Sequence, residues 1–323
     1  MKKSRMTAFA LLLCATLVGS ASAQTDYPNK PIRMIVPFGA GAGVDTLARG
    51  VAKGLSERFG QPVVIDNRPG AGGNIGTEAA AKADPDGYTL VMGSNGPFAA
   101  NVSLYSKLPF DPLTDLTPVI LMGRLPMILV GSKSAPANSV QEVIAAAKAR
   151  PGAVNFGASN TTARVWVELL KSMGGVDVPT VLYKNVGAMM TDLMSGQIQF
   201  AFENVGPSMP LIKGDKIKAI AVTSPKRAGF APEIPTLAEA GLTRHELVVW
   251  LALFAPKNTP AAIVSKLNSE INRMITESAE LKQLALSIGI DLAGGTPQQL
   301  GQYHAAEVRN WRSLVEMTNI RLE

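Results

Sequence analysis

The sequence predicts an α/β protein of two lobes, built on mixed, mostly parallel sheets and joined by two interlobe crossings. Three observations predict it. Short apolar runs alternate with segments of helical period along the chain, the pattern of parallel strands linked by helices. About 300 residues lie beyond an N-terminal leader, enough for two cores at ~100–200 residues each. A late apolar segment, 247–255, carries the chain back toward the lobe it left. The expected division is 1–23 as leader, 24–125 together with 248–323 as the first domain, and 126–247 as the second.

The leader has the layout of a secretory signal. Lys2, Lys3 and Arg5 precede an apolar stretch over 6–18, and Ala21-Ser22-Ala23 is a small-residue cleavage site, so the mature chain is expected to begin at Gln24. The apolar stretch is shorter than the ~20 residues a spanning helix needs. The single cysteine, Cys14, lies inside this leader, so the mature chain carries no thiol chemistry. A twin-arginine pair is absent, which points to export of the unfolded chain without a preloaded cofactor.

The first mature unit is a strand over 32–38, a loop Gly39-Ala40-Gly41-Ala42-Gly43, and a helix over 44–58. A strand that feeds a glycine loop and a helix N-terminus presents backbone N–H groups suited to an anion. A strand over 62–66 leads to a second glycine loop, 68–74, and a helix over 75–82. After a turn at Asp84-Pro85-Asp86-Gly87, a third strand over 88–92 ends in Gly93-Ser94-Asn95-Gly96. Three small-residue loops therefore share the carboxyl edge of one sheet, where open α/β sheets bind ligands.

Strands over 119–122 and 128–131 precede Ser139-Val140-Gln141-Glu142, a capping box for an amphipathic helix ended by Pro151-Gly152. A strand over 154–157, a polar loop over 158–162, and a helix over 163–173 follow. Strands over 180–184, 198–202 and 217–223 and a short helix over 187–195 complete the second lobe. Thr259-Pro260 reads as N-cap and N1 of a helix with Ile263, Val264, Leu267, Ile271 and Ile275 on one face. The final helix spans 297–318 and carries Trp311. His304, in its polar stretch, is expected to face solvent.

Composition narrows the chemistry. The chain holds 31 Lys and Arg against 25 Asp and Glu, a net charge of +6. Removing the leader leaves 28 basic residues and a net charge of +3. With the basic residues scattered and no aromatic-interleaved basic run, a nucleic-acid partner is not expected. Two histidines far apart, no cysteine cluster and no acidic metal loop give no metal site. The rival reading is a Rossmann-like NAD-dependent oxidoreductase: Gly39 and Gly41 follow a strand, and Asp66 ends the next strand. The third glycine of that fingerprint falls on Val44, which breaks it.

The motifs reached so far resemble those of the Bug family, soluble receptors of tripartite tricarboxylate transporters. They include Val36-Pro37-Phe38, Asp45, Ala48-Arg49 and Asn67-Arg68-Pro69-Gly70-Ala71-Gly72-Gly73-Asn74-Ile75-Gly76. Asp84-Pro85-Asp86-Gly87-Tyr88-Thr89-Leu90, Leu108-Pro109-Phe110-Asp111-Pro112 and Pro235-Thr236-Leu237-Ala238-Glu239-Ala240-Gly241 extend the likeness over nearly the whole mature chain. The resemblance implies a type II-like, two-lobed periplasmic solute-binding fold, in the periplasm of a Gram-negative bacterium, that closes on a small organic carboxylate. It implies delivery to a membrane permease, with a sensor protein as a second recipient, no cofactor, no catalysis and a monomer. The family typically holds the carboxylate on backbone amides of the first two glycine loops and on ordered waters. Two departures touch the site. Gly39-Ala40-Gly41-Ala42 stands where the family usually has Pro-Pro-Gly-Gly, so the loop should be less rigid. The second-lobe loop is about two residues shorter than usual, with Arg164 near a position usually held by His.

The candidate ligand-binding residues follow. Phe38, Gly39, Ala40, Gly41, Ala42 and Gly43 form the first loop, with Asp45 read as a first-turn acid interacting with backbone amides. Gly72, Gly73 and Asn74 come from the second loop, Ser94 and Asn95 from the third. Ser159, Asn160 and Thr161 supply donors from the second lobe, or simply cap a helix. Arg164 is either a solvated helix residue or a bidentate partner for a second carboxylate, which would favour a dicarboxylate. An aromatic acid is the other favoured ligand; Trp166 either fills the core or stacks on it. Tyr183 reads as far-wall lining. Glu203 and Asn204 either take a ligand amine or hydroxyl or form a surface turn.

Overall fold

The computed structural model describes residues 27–318 apart from 184, 225, 229–230 and 243–246. The leader, its cleavage site and His245 lie outside the described residues. The first sheet has six strands in the order β11-β4-β10-β3-β1-β2, and the second has five in the order β7-β6-β8-β5-β9. In the first lobe, β1 (Ile32–Val36) enters helix α1 (Gly43–Phe59), β2 (Val63–Asn67) enters α2 (Asn74–Ala81), and β3 (Thr89–Ser94) enters a wide helical turn at Gly96–Ala100 that continues into α3 (Asn101–Leu104). β1 pairs in parallel with both β2 and β3, which brings three carboxyl ends side by side.

The chain leaves the first sheet through β4 (Leu116–Leu125) and enters the second through β5 (Met127–Ser132), with Pro126 alone between them. Proline offers no N–H to a ladder, so the pairing partners change there. Met127 and Thr223 then lock the start of the second sheet: the Met127 amide donates to Thr223 Oγ1 at 2.9 Å and the Thr223 amide to the Met127 carbonyl at 2.9 Å. The second lobe continues with α4 (Val140–Ala149), β6 (Phe156–Ala158), α5 (Thr161–Gly174), β7 (Thr180–Leu182), α6 (Val186–Ser195), β8 (Phe200–Asn204), α7 (Val205–Lys213) and β9 (Ile217–Val222). β10 (Val249–Pro256) returns the chain to the first sheet, antiparallel to β3 and β4. Helices α8 (Ala261–Glu277), α9 (Ala279–Ser287) and α10 (Pro297–Thr318) and the short strand β11 (Asp291–Leu292) close the first lobe.

The sheets are mixed, but less parallel than strand–helix alternation implies: four pairings are parallel and five antiparallel. The antiparallel ones cluster on β4, β5 and β10, the strands that carry the chain between lobes. Such strands are entered without a crossover helix and so need not run parallel.

One face of the first sheet packs against α1 and α8. The apolar core on its other face runs on into the second lobe, from Phe98, Trp250 and Trp311 to Trp166 and Phe202. Trp166 is a core residue: it stacks on Phe202 and its Nε1 donates to the Leu247 carbonyl at 2.9 Å. The lobes are thus joined by buried aromatic contact along one side as well as by the two crossings.

Three local expectations need correction. His304 is 2 % exposed, not solvent-facing. Its Nε2 lies 2.6 Å from the Phe98 carbonyl, and its ring packs edge-on against Trp250 and Phe254. Burial pushes its pKa down, against the pull of that carbonyl. The polar face of α10 is turned toward buried backbone at this one position, which helical periodicity alone cannot reveal. Thr259 is not the cap of α8; Pro260 holds that position, and Thr259 Oγ1 donates to the Pro256 carbonyl at 2.8 Å. Helix α7 was hidden by Gly206, Pro207 and Pro210, which read as breakers, yet Pro207 falls in the first turn, where no intrahelical donor is needed. The expected capping box does form: Ser139 Oγ accepts from the Glu142 amide and Glu142 Oε2 from the Asn138 amide.

Candidate functional site

A cavity of about 750 Å³ lies between the two sheets, at the carboxyl ends of β1 and β3. That volume is within the usual range for a small-molecule site. Its first-lobe wall comes from Phe38, the stretch Gly41 to Val44, Thr46, Gly72, the stretch Ser94 to Gly96, and Asn101. Its second-lobe wall comes from the stretch Ser159 to Thr162, Val186, Glu203, Asn204, Gly206 and Pro207. Leu125, Val249 and Leu251, on the crossing strands, form the back, and Ser287 and Ile288 a lip.

The first loop ends on the N-terminus of α1. Ala42 caps this helix without a side-chain hydrogen bond, and the Thr46 amide makes the first intrahelical bond, to the Ala42 carbonyl at 2.9 Å. The amides ahead of Thr46 therefore have no intrahelical acceptor, and the helix dipole adds positive potential. The loop keeps its shape without prolines because Asp45 holds it. Gly41 sits at φ +84°, and its amide donates to Asp45 Oδ2 at 2.8 Å. Asn67 Nδ2 donates to Asp45 Oδ1 at 2.8 Å and to the Phe38 carbonyl at 3.1 Å. Arg49 Nε donates to Asp45 Oδ2 at 3.0 Å. Asp45 is 2 % exposed. Burial alone would raise its pKa; the bonds from Arg49, Gly41 and Asn67 outweigh it and hold the carboxyl below its ordinary value. This network compensates for the rigidity expected to be lost with the prolines.

The second loop is tied to the third. Asn101 Nδ2 donates to the Gly72 carbonyl at 3.2 Å and to Asn74 Oδ1 at 2.7 Å. Gly72 lies at φ +63°, and a Cβ there would meet Tyr105 Oη at 2.9 Å, so both conformation and space require glycine. In the third loop, β3 runs on through Ser94, further than expected, and Asn95 follows at 1 % exposure. Its Nδ2 has no hydrogen-bond partner among the described residues.

On the second-lobe wall, Asn160 caps α5, its Oδ1 accepting from the Ala163 amide at 2.9 Å. Ser159 Oγ donates to Glu203 Oε2 at 2.5 Å, and the Asn204 amide donates to Glu203 Oε1 at 2.7 Å. Glu203 ends β8 at 0 % exposure and is no surface turn. Burial pushes its pKa up, against the bonds from Ser159 and Asn204. Asn204 Oδ1 is buried without a partner among the described residues.

Of the candidate residues, Phe38, Gly41, Ala42, Gly43, Gly72, Ser94, Asn95, Ser159, Asn160, Thr161, Glu203 and Asn204 come together around this cavity. Gly39, Ala40, Asp45, Gly73 and Asn74 do not line it; Asp45 and Asn74 act behind the wall, through the bonds above. Arg164 lines a separate depression of about 300 Å³ with Glu168, Lys171 and Asp177. It is therefore not positioned as a second clamp in the interlobe cavity. Tyr183 Oη donates to Asp192 Oδ2 at 2.7 Å, and its pKa is pushed up to about 12 by burial and that carboxylate. The sequence reading missed Thr46, Asn101, Val186 and the lip at Ser287 and Ile288. Thr46 was findable, one helical step from the first loop; the lip was not, because α9 carries no strong periodic signal.

No Lys, Arg or His among the described residues lines the cavity. None of the described His, Cys, Asp and Glu residues forms a group of three or more that could hold a metal ion.

Comparison with known proteins agrees with this geometry. A profile described as "Tripartite tricarboxylate transporter family receptor" matches residues 47–320. The chain is 36% identical to protein BugT of Bordetella pertussis, over 100% of both chains. It is 33% identical to a protein encoded in the tcbD-tcbE intergenic region of Pseudomonas sp., over 97% of this chain and 94% of that one. Among solved structures, R. palustris Rpa4515 with adipate superposes with a TM-score of 0.82 at 36% identity, covering 91% of this chain and 99% of that one. MatC (Rpa3494) of Rhodopseudomonas palustris with bound malate gives a TM-score of 0.78 at 29% identity, covering 90% and 100%.

Proposed function

Because the chain belongs to the tripartite tricarboxylate transporter receptor family, we propose that it is a periplasmic receptor that captures a small organic carboxylate between its lobes and delivers it to a membrane permease. The observation that carries this reading is the pairing of an uncapped helix N-terminus with the partnerless amide of Asn95 on one wall of the cavity. Both offer buried hydrogen-bond donors, and an unmet buried donor costs about 1–3 kcal/mol, which a carboxylate would relieve. The bound adipate and malate of the two structural relatives support the same ligand class.

In this reading the leader over 1–23 is a signal peptide. The lobes are 24–125 with 248–323 and 126–247, with Pro126 at the first crossing. Residues Phe38, Gly41, Ala42, Gly43, Gly72, Ser94 and Asn95 hold the carboxylate, and Ser159, Asn160, Thr161, Glu203 and Asn204 face the rest of the ligand. Capture requires no chemical step. The ligand stabilises the closed arrangement by touching both walls at once, and its differential affinity for closed over open sets the population shift.

A thermal-shift screen against carboxylic acids, matched primary amides, sugars and cations tests the reading. Carboxylates should raise the melting temperature and their amides should not. Stabilisation by sugars or cations alone would refute it.

A further inference from the structure

The two walls of the cavity are chemically unlike, and the difference bears on what the far end of the ligand carries. The first-lobe wall ends in donors, as described above. The second-lobe wall ends in acceptors: the Glu203 carboxyl, fully buried, and Asn204 Oδ1, buried without a protein partner. The Glu203 carboxyl is fixed from behind by Ser159 Oγ and the Asn204 amide, so it cannot swing away. Between these ends the cavity is lined by Phe38, Leu125, Val186, Val249 and Leu251. No cation among the described residues lines it to neutralise a second carboxylate.

We propose that the site selects a monocarboxylate whose far end carries a hydroxyl or ammonium donor, received by Glu203 and Asn204, over a dicarboxylate of the same length. The proposal rests on the carboxylate-receptor reading and adds the ligand's polarity to it. A second carboxylate at the far end would set acceptor against acceptor inside a buried site, leaving Asn204 Oδ1 unmet and placing like charges together. A methyl end would also leave those acceptors unmet. A hydroxyl or ammonium satisfies them, and a site built to meet a ligand donor rejects analogues that lack it. Ser159 is the positioning residue here: its hydroxyl holds one Glu203 oxygen and leaves the carboxyl oriented for the ligand.

The test uses isothermal titration of the mature protein with three matched skeletons. The four-carbon set is butanoate, 4-hydroxybutanoate, 4-aminobutanoate and succinate. The six-carbon set is hexanoate, 6-hydroxyhexanoate, 6-aminohexanoate and adipate. The aromatic set is benzoate, 4-hydroxybenzoate, 4-(aminomethyl)benzoate and terephthalate. In the set whose length fits, the hydroxyl or ammonium member should bind about tenfold tighter than both the methyl or unsubstituted member and the dicarboxylate. In Glu203→Gln that preference should shrink and the dicarboxylate should gain. If a dicarboxylate binds tightest in the unmodified protein, or if the donor-bearing member is no better than its unsubstituted analogue, the proposal is overturned while the carboxylate reading stands. If 1,6-hexanediol binds as well as 6-hydroxyhexanoate, or no carboxylate binds at all, the receptor reading itself falls and this proposal with it. The unmodified protein decides the matter even if Glu203→Gln fails to fold.

Discussion

The first-lobe wall of the cavity recognises with backbone, the second-lobe wall with side chains. Each wall depends on a buried acid, but the two acids work in opposite ways. Asp45 stands behind its wall, takes bonds from Gly41, Asn67 and Arg49, and is held below its ordinary pKa. Glu203 stands in its wall, has fewer donors around it, and is pushed above its ordinary pKa by burial. A wall made of amides can hold the one group common to all carboxylates, whatever the side chains around it. A wall made of side chains can change with each substitution. The first lobe thus reads the class of ligand and the second reads its identity.

Replacing Asp45 is expected to break this contrast most severely. In Asp45→Ala, the amides of Gly41 and Asn67 lose their acceptor, which should cost about 2 kcal/mol of stability and weaken every carboxylate alike. Chemical denaturation together with titration of several ligands checks it; a loss confined to one ligand would put Asp45 on the identity side. Next is Gly41→Val. The left-handed φ of +84° would strain a β-branched residue by roughly 1–2 kcal/mol even though a Cβ there meets nothing within 4 Å. Affinity for all carboxylates should fall about tenfold, and an unchanged affinity would remove this loop from the site.

A milder change sharpens the comparison. Asn95→Leu removes a buried amide whose Nδ2 has no partner among the described residues. Melting temperature should hold or rise, while carboxylates weaken about fivefold, roughly 1 kcal/mol. The smallest expected effects are in the pH dependence of the unliganded protein, where the two acids have opposite signs. Asp45 is lowered from 3.8, so its contribution is present above that value and is lost as pH falls through the lower folded-state value. Glu203 is raised from 4.5, so stability declines as pH climbs from 4.5 through the higher folded-state value. Asp45→Asn should flatten the acid limb and Glu203→Gln the decline above 4.5 in denaturation series taken across pH.

The same division governs what the sequence made legible. The first-lobe wall was readable because glycine loops after strands have one geometric meaning, and parallel β1, β2 and β3 had to bring those loops to one edge. What the sequence concealed was which members work behind the wall: Asp45 and Asn74 look like lining residues until their bonds to Gly41 and Asn101 are seen. In the second lobe, a helix exposes some of its residues to a cleft and others to its back, and one residue of phase separates Thr161 and Thr162 from Arg164. That small angle moved Arg164 out of the cavity and took with it the argument for a dicarboxylate. Glu203 was ambiguous for a related reason: a strand end reads as a surface turn unless the neighbouring loop, here Ser159, is known to cover it. His304 failed similarly, since the Phe98 carbonyl that buries it lies 206 residues away.

A crystal structure of the mature protein with the tightest-binding carboxylate from the matched panel tests the central claim most directly. The account predicts the ligand carboxylate about 3 Å from Asn95 Nδ2 and from the amides at the start of α1, with the far end toward Glu203 and Asn204. A carboxylate found instead at the second-lobe wall, or a ligand outside the interlobe cavity, would contradict it.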